Sequence, residues 1–129
     1  MANILIIDDD PDIVEAMKIV LESKDHRVSI AKNGEEGLKK AKLDKPDLII
    51  LDVMMETMGK GFEVAKELRK SQGHKDIPIL MLTAIKESTG LDFKTEAGDK
   101  DWLPVDEYLE KPLKPQELIL KVEALLEKR

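Results

Sequence analysis

Asp8, Asp9, Asp52, Thr83 and Lys111 are the residues of this chain whose types could together handle a phosphoryl group. Each follows a short apolar run or lies at its end. Three carboxylates brought to one place repel one another unless a cation joins them. An all-oxygen ligand set selects a hard ion, Mg²⁺ or Mn²⁺. Such an ion, keeping a water or two, also accepts a phosphoryl oxygen. Lys111 then offers a point charge to a second oxygen, and Thr83 a hydroxyl to a third. With Asp52 as a carboxylate nucleophile, the set suits phosphoryl transfer. It suits neither hydride transfer nor ester hydrolysis.

Taken singly, each residue has a plainer explanation. An Asp after a strand is commonly a helix cap or turn residue, and Asp10 is read as that and nothing more. Thr83 alone would be a satisfied loop hydroxyl, and Lys111 alone a solvated charge. The reading rests on the set, one member at the end of each of several different runs.

The elements that must position them are five apolar runs alternating with helical patterns. The runs lie at 4–7, 28–31, 48–51 and 77–82, with a weaker one around Tyr108 and Leu109. Three are continuously apolar, as strands covered on both faces are. The run at 28–31, broken by Ser29, reads as an edge strand. Ile13, Val14, Met17, Val20 and Leu21 make one helical stripe, with Asp10 as its cap and Pro11 at its first position. Leu118, Ile119, Val122, Leu125 and Leu126 make another, started by Pro115. Phe62, Val64, Ala65 and Leu68 form a third, and Leu38 with Ala41 a weaker fourth. Alternating β and α segments call for parallel strands joined by right-handed crossovers. Five units in a chain of 129 residues predict an α/β, flavodoxin-like, doubly wound five-stranded sheet of order 2-1-3-4-5, with helices on both faces. In that order strands one and three are neighbours, so Asp8 and Asp9 lie beside Asp52, at the edge where such sheets bind ligands. The stretch 84–106 carries few apolar residues and is expected to be a poor helix followed by a long loop.

Composition narrows the function further. With 21 Lys and Arg against 27 Asp and Glu, the formal charge is −6, which disfavours direct nucleic-acid binding. The absence of cysteine excludes disulfides, thiol catalysis and thiolate zinc sites. His26 and His74 do not have the spacing of a metal pair. No apolar run approaches the roughly 18 residues of a membrane span, and the first residues do not resemble a signal peptide. A cytoplasmic protein with no membrane contact is expected.

The stretches ILIIDDDPDI (4–13), PDLIILDVMM (46–55), ILMLTA (79–84) and YLEKPL (108–113) closely resemble the receiver domains of two-component response regulators. The resemblance covers essentially the whole chain, 1–129, as a single receiver domain without an output domain. It implies that Asp52 is phosphorylated, by a sensor histidine kinase or a phosphotransfer protein. It implies that Asp8 and Asp9 hold Mg²⁺, Asp9 directly and Asp8 largely through water, with the backbone carbonyl of Met54 completing the protein ligands. Thr83 and Lys111 match the switch hydroxyl and the phosphate-binding lysine, and Tyr108 the aromatic residue that moves with Thr83. The bond from Lys111 to Pro112 would be cis. In the family the responding surface is formed by the fourth helix, fifth strand and fifth helix, and it contacts a downstream protein or a second copy once phosphorylated.

The sequence departs from the family in three places. Glu56 stands where a proline is common, and the segment 56–61 is one residue longer than the family pattern. The span from Thr83 to Lys111 is also long, with extra residues around 99–106. There Trp102 and Leu103 either pack the insertion onto the core or make a partner contact. In the family the residues at the positions of Met54 and Ile85 influence how water reaches the acyl phosphate, and both are apolar here. Slow self-dephosphorylation is the expected consequence.

Three other readings fit less well. A receiver-like binding module that is never phosphorylated would typically lose an acceptor or acidic-pair residue, and all five positions are kept. A Mg²⁺-dependent phosphohydrolase with an Asp nucleophile would carry a second Asp at position 54, which is Met. A flavin or nucleotide binder wants a Gly- or Ser/Thr-rich turn after strand one, where Asp8, Asp9 and Asp10 would repel phosphate. Output is expected through contact with another protein or by relay of the phosphoryl group.

Overall fold

The computed structural model describes residues 2–52, 66–68, 70, 77–83, 107–110 and 114–127, with the backbone alone at 83, 108 and 110. The apolar runs form strands β1 (Asn3–Ile7), β2 (Arg27–Ala31), β3 (Leu48–Asp52), β4 (Ile79–Thr83) and β5 (Glu107–Glu110). All pair in parallel, in the order β2-β1-β3-β4-β5. This is the order the alternation of elements predicts. In central β3 all five residues are buried. β2 at one edge exposes Arg27 and leaves Val28, Ser29 and Ile30 half-buried, which accounts for its interrupted apolar run.

Helices α1 (Pro11–Glu22) and α3 (Pro115–Glu127) lie together on one face of the sheet. Val14, Met17 and Leu21 from α1 meet Leu118, Val122 and Leu125 from α3 over Ile4, Ile6, Leu48 and Ile50. Burying side chains of this size contributes about 1.5–3 kcal/mol each, before conformational entropy is set against it. The start of α1 is fixed locally. The Asp10 carboxylate accepts the N–H groups of Asp12 (3.0 Å) and Ile13 (3.4 Å), and Pro11 occupies the first turn.

Helix α2 (Gly34–Asp44) covers the other face, but not as the stripe of Leu38 and Ala41 suggests. Gly34, Gly37 and Ala41 are its buried residues, and Leu38 is only half-buried. The small residues let the helix come close to β1. Asn33 caps it, accepting the Glu36 N–H at 2.8 Å, and Lys45 ends it in the left-handed conformation at φ 45°.

The sheet end opposite the acidic turn is tied by polar contacts. The Asp47 carboxylate accepts the Asn3 N–H at 2.8 Å, and the Asp47 N–H donates to the Asn3 carbonyl at 2.7 Å. These bonds set the β1–β3 register at its first residue. Buried His26 accepts the Ala2 N–H at Nδ1 (3.2 Å), so Nε2 carries the proton it shares with Glu123 on α3 (3.4 Å). Several sequence expectations lie outside the described residues: the stripe through Phe62, Val64 and Ala65, the lengthened segment 56–61, and the stretch 84–106 with Trp102 and Leu103. Leu68, the last member of that stripe, is helical and buried.

Candidate functional site: an acidic cluster at the carboxyl edge of the sheet

The β1–β2 ladder runs one residue beyond β1, because the Asp8 N–H donates to the Ala31 carbonyl at 3.0 Å. The Asp8 backbone is therefore held as firmly as a strand residue. Its Oδ1 turns back to accept the Asp10 N–H at 2.9 Å. The three consecutive aspartates thus have separate tasks. Asp8 closes the turn from inside, Asp9 projects to solvent, and Asp10 caps α1.

The β1–β3 register pairs Ile7 with Leu51, so the next residues, Asp8 and Asp52, are neighbours. Asp52 ends β3 and pairs across it with Leu82 of β4. Both carboxylates are nearly sealed from solvent, Asp8 at 1% and Asp52 at 2% exposure. One carboxylate oxygen from each of Asp8, Asp9 and Asp52 lies within 4.8 Å of the other two. Burial of Asp8 and Asp52 removes water that would screen the repulsion between them. The three are all hard anionic oxygen donors, the set that a small divalent cation with incomplete protein coordination requires. The residues present fit such an ion.

Thr83 ends β4 one step beyond the Asp52–Leu82 pair, and it pairs with Glu110 of β5, the residue before Lys111. Tyr108 pairs with Met81. Chain positions 83 and 110 thus reach the same sheet edge as the acidic cluster. Lys111, Pro112 with its expected cis bond, Met54, Glu56 and Ile85 lie outside the described residues.

One supporting position was not among the sequence candidates. A Cβ built on Gly37 would lie 2.5 Å from Ile7 Cδ1 and 2.8 Å from Ile7 Cγ1. Ile7 immediately precedes Asp8, so α2 presses on the last residue of the strand that delivers the acidic turn. The signal was available as small residues at 34, 37 and 41 on one helical face.

The response regulator receiver domain family matches residues 4–123. The chain belongs to this family. Receivers are signalling phosphoacceptors, and this chain shares their fold and class. It is 41% identical over 96% of its length to the alkaline phosphatase synthesis transcriptional regulatory protein PhoP of Bacillus subtilis, of which it covers 48%. It is 40% identical over 98% of its length to the DNA-binding regulator RpaA of Synechocystis, covering 49% of that protein. The receiver thus spans about half the length of these relatives. Among solved structures it resembles the chemotaxis response regulator CheY4 of Vibrio cholerae, with TM-score 0.83, 32% identity and coverage of 97% and 98% of the two chains. It also resembles the N-terminal domain of a receiver protein from Methanoculleus marisnigri, with TM-score 0.73, 34% identity and coverage of 100% and 99%. Among the described residues no helix is long and apolar enough to cross a membrane.

Proposed function

We propose that Asp52 is the residue of this receiver that accepts the phosphoryl group, and that Asp8 and Asp9 hold a Mg²⁺ ion beside it. The observation that carries the reading is the convergence of three carboxylates on one point at the carboxyl edge, two of them buried. Buried like charges oppose folding, so an arrangement of this kind is kept for what binds there.

The donor is a phosphohistidine of a sensor kinase or a phosphotransfer protein. A carboxylate oxygen of Asp52 attacks phosphorus, the bond from phosphorus to the imidazole nitrogen breaks, and that nitrogen keeps the electron pair. With the donor's second ring nitrogen protonated, the products are an acyl phosphate on Asp52 and a neutral imidazole on the donor. The bound cation supplies charge neutralisation for the phosphoryl oxygens. The Ala31 and Asp10 hydrogen bonds hold Asp8 in place, which supports a ligand role that needs little rearrangement on binding an ion. By the resemblance, the Met54 carbonyl completes the metal ligands, while Lys111 and Thr83 receive phosphoryl oxygens and Tyr108 follows Thr83.

Phosphorylation adds charge and acceptor oxygens that draw Thr83 and Lys111 toward Asp52, biasing a two-state surface read by a downstream protein or a second copy. Incubation with a small phosphodonor and Mg²⁺, followed by intact mass, tests the reading. The wild type gains one phosphoryl group, and Asp52→Asn gains none. No gain on the wild type, or an equal gain on Asp52→Asn, would overturn it.

A further inference from the structure

Strand β2 has β1 on one side, and among the described residues nothing pairs with its other side. Which groups face that open edge follows from the ladder. Arg27 donates its N–H to Ala2, and Ala31 accepts from Asp8, so residues 27, 29 and 31 turn their backbone groups inward to β1. By alternation, Val28 and Ile30 turn theirs outward.

The outward pair is symmetric about Ser29. A second copy related by a two-fold axis at Ser29, with its β2 antiparallel, would place Val28 opposite Ile30 of that copy, and Ile30 opposite its Val28. Each is then a hydrogen-bonded pair, giving four main-chain bonds, two of which end on an Ile30 carbonyl. Val28 and Ile30 are half-buried apolar residues on one face of the sheet, and the pairing would stack them across the seam. Charge agrees as well. Exposed Arg27 would lie opposite Ala31 of the second copy, beside the first turn of its α2, which carries Glu35 and Glu36.

The protein as it stands blocks this pairing. Lys40 reaches from α2 to donate its Nζ to the Ile30 carbonyl, while Glu36 pairs with the same ammonium at 3.4 Å. In each copy the lysine occupies the Ile30 carbonyl that the other copy's Val28 N–H would need. Lysine is a common protector of sheet edges, but here it caps one specific outward carbonyl.

We infer that the open edge of β2 is a self-complementary interface for a second copy of this chain, held shut by the Lys40 contact with the Ile30 carbonyl. It lies on the opposite edge of the sheet from β5 and does not depend on the chemistry of Asp52. A five-residue strand pair is a small interface beside the roughly 1,200 Å² of stable complexes, so one competing lysine is enough to prevent the pairing.

The test uses the full chain with Asp52→Asn throughout, without phosphodonor, so that association driven by phosphorylation does not contribute. Sedimentation equilibrium should show Lys40→Ala self-associating at least roughly tenfold more tightly than the Lys40 protein. Adding Val28→Pro should reverse this, because that N–H faces the open edge and its loss leaves the β1 ladder intact. Independently, S29C introduces the chain's first cysteine at the proposed two-fold axis. A non-hydrogen-bonded pair there brings Cα atoms to about 4.5 Å, within disulfide range. Oxidation should join S29C chains much faster with Lys40→Ala than with Lys40 present. Unchanged association of Lys40→Ala overturns the inference. So does a dimer that survives Val28→Pro, or S29C cross-linking at equal rates in the two backgrounds. If Val28→Pro fails to fold, the cross-linking comparison decides.

Discussion

Gly37 sits so close to Ile7 that a methyl group on it would come within 2.5 Å of the Ile7 side chain, whose exposure is zero. Helix α2 can approach β1 only because that methyl is missing. The contact bears on the last residue before the acidic turn.

Gly37→Ala is therefore expected to destabilise the protein, against the helix propensity of alanine. Propensity alone would add about 1 kcal/mol of stability, whereas overpacking a closed core costs about 1–3 kcal/mol. The clash involves Ile7 Cγ1 and Cγ2 as well as Cδ1, so a simple rotamer change does not relieve it. A net loss of about 1 kcal/mol is expected in urea unfolding. Ile7→Val removes the nearest atom, and the double variant should be more stable than the sum of the single effects. Strict additivity would count against the contact.

A second expectation concerns the cation. Asp8, Asp9 and Asp52 share one region, so neutralising one of them relieves repulsion in the metal-free protein. Asp8→Asn keeps an oxygen to accept the Asp10 N–H and should raise metal-free stability by about 1 kcal/mol. That is well under the roughly 4 kcal/mol of two charges 4 Å apart at an effective dielectric of 20. Mg²⁺ should stabilise the wild type, by about 2.7 kcal/mol when free ion is a hundred times the dissociation constant. It should do little for Asp8→Asn. Thermal unfolding with and without Mg²⁺ measures both effects, and an equal Mg²⁺ response in the two proteins would refute the ligand assignment.

The third expectation separates two bonds made by one side chain. His26 is buried, with the Ala2 N–H on one nitrogen and Glu123 on the other. Removing the ring strands a buried N–H, which costs about 1–3 kcal/mol, and opens a cavity beside it. His26→Ala should lose about 2 kcal/mol or more. Glu123 is half-exposed, and contacts of that kind contribute about 0–1 kcal/mol, so Glu123→Gln should change little. Comparable losses for the two variants would place the strength in the Glu123 contact instead.

These relationships differ in how far the sequence discloses them. Strand order follows from the alternation of apolar runs and helical stripes, because a buried parallel sheet needs continuously apolar strands. The neighbouring of Asp8 and Asp52 follows from that order. Asp10 and Pro11 mark the start of α1 by local chemistry alone. The packing face of α2 is less legible, since it is made by the absence of side chains at Gly34 and Gly37 rather than by an apolar stripe. Lys40 and His26 are harder still. Each acts on backbone groups distant along the chain, and no spacing rule links Lys40 to the Ile30 carbonyl or His26 to Ala2.

The lifetime of the acyl phosphate is the last expectation. Hydrolysis requires a water aligned with phosphorus on the side away from the Asp52 oxygen, and a polar side chain nearby lowers the cost of holding it there. By the family resemblance, positions 54 and 85 flank that approach, and here they are Met54 and Ile85. Neither side chain can bond a water, so phosphorylated Asp52 should decay slowly. Met54→Asn and Ile85→Glu each introduce a group able to orient the water. Each should shorten the lifetime by roughly tenfold or more, the lower range of what a positioned acid–base group contributes. The rate is followed by loss of the phosphoryl mass after the donor is removed, in excess Mg²⁺ so that ion affinity does not limit it. If neither substitution accelerates the decay, water access at these two positions does not set the lifetime.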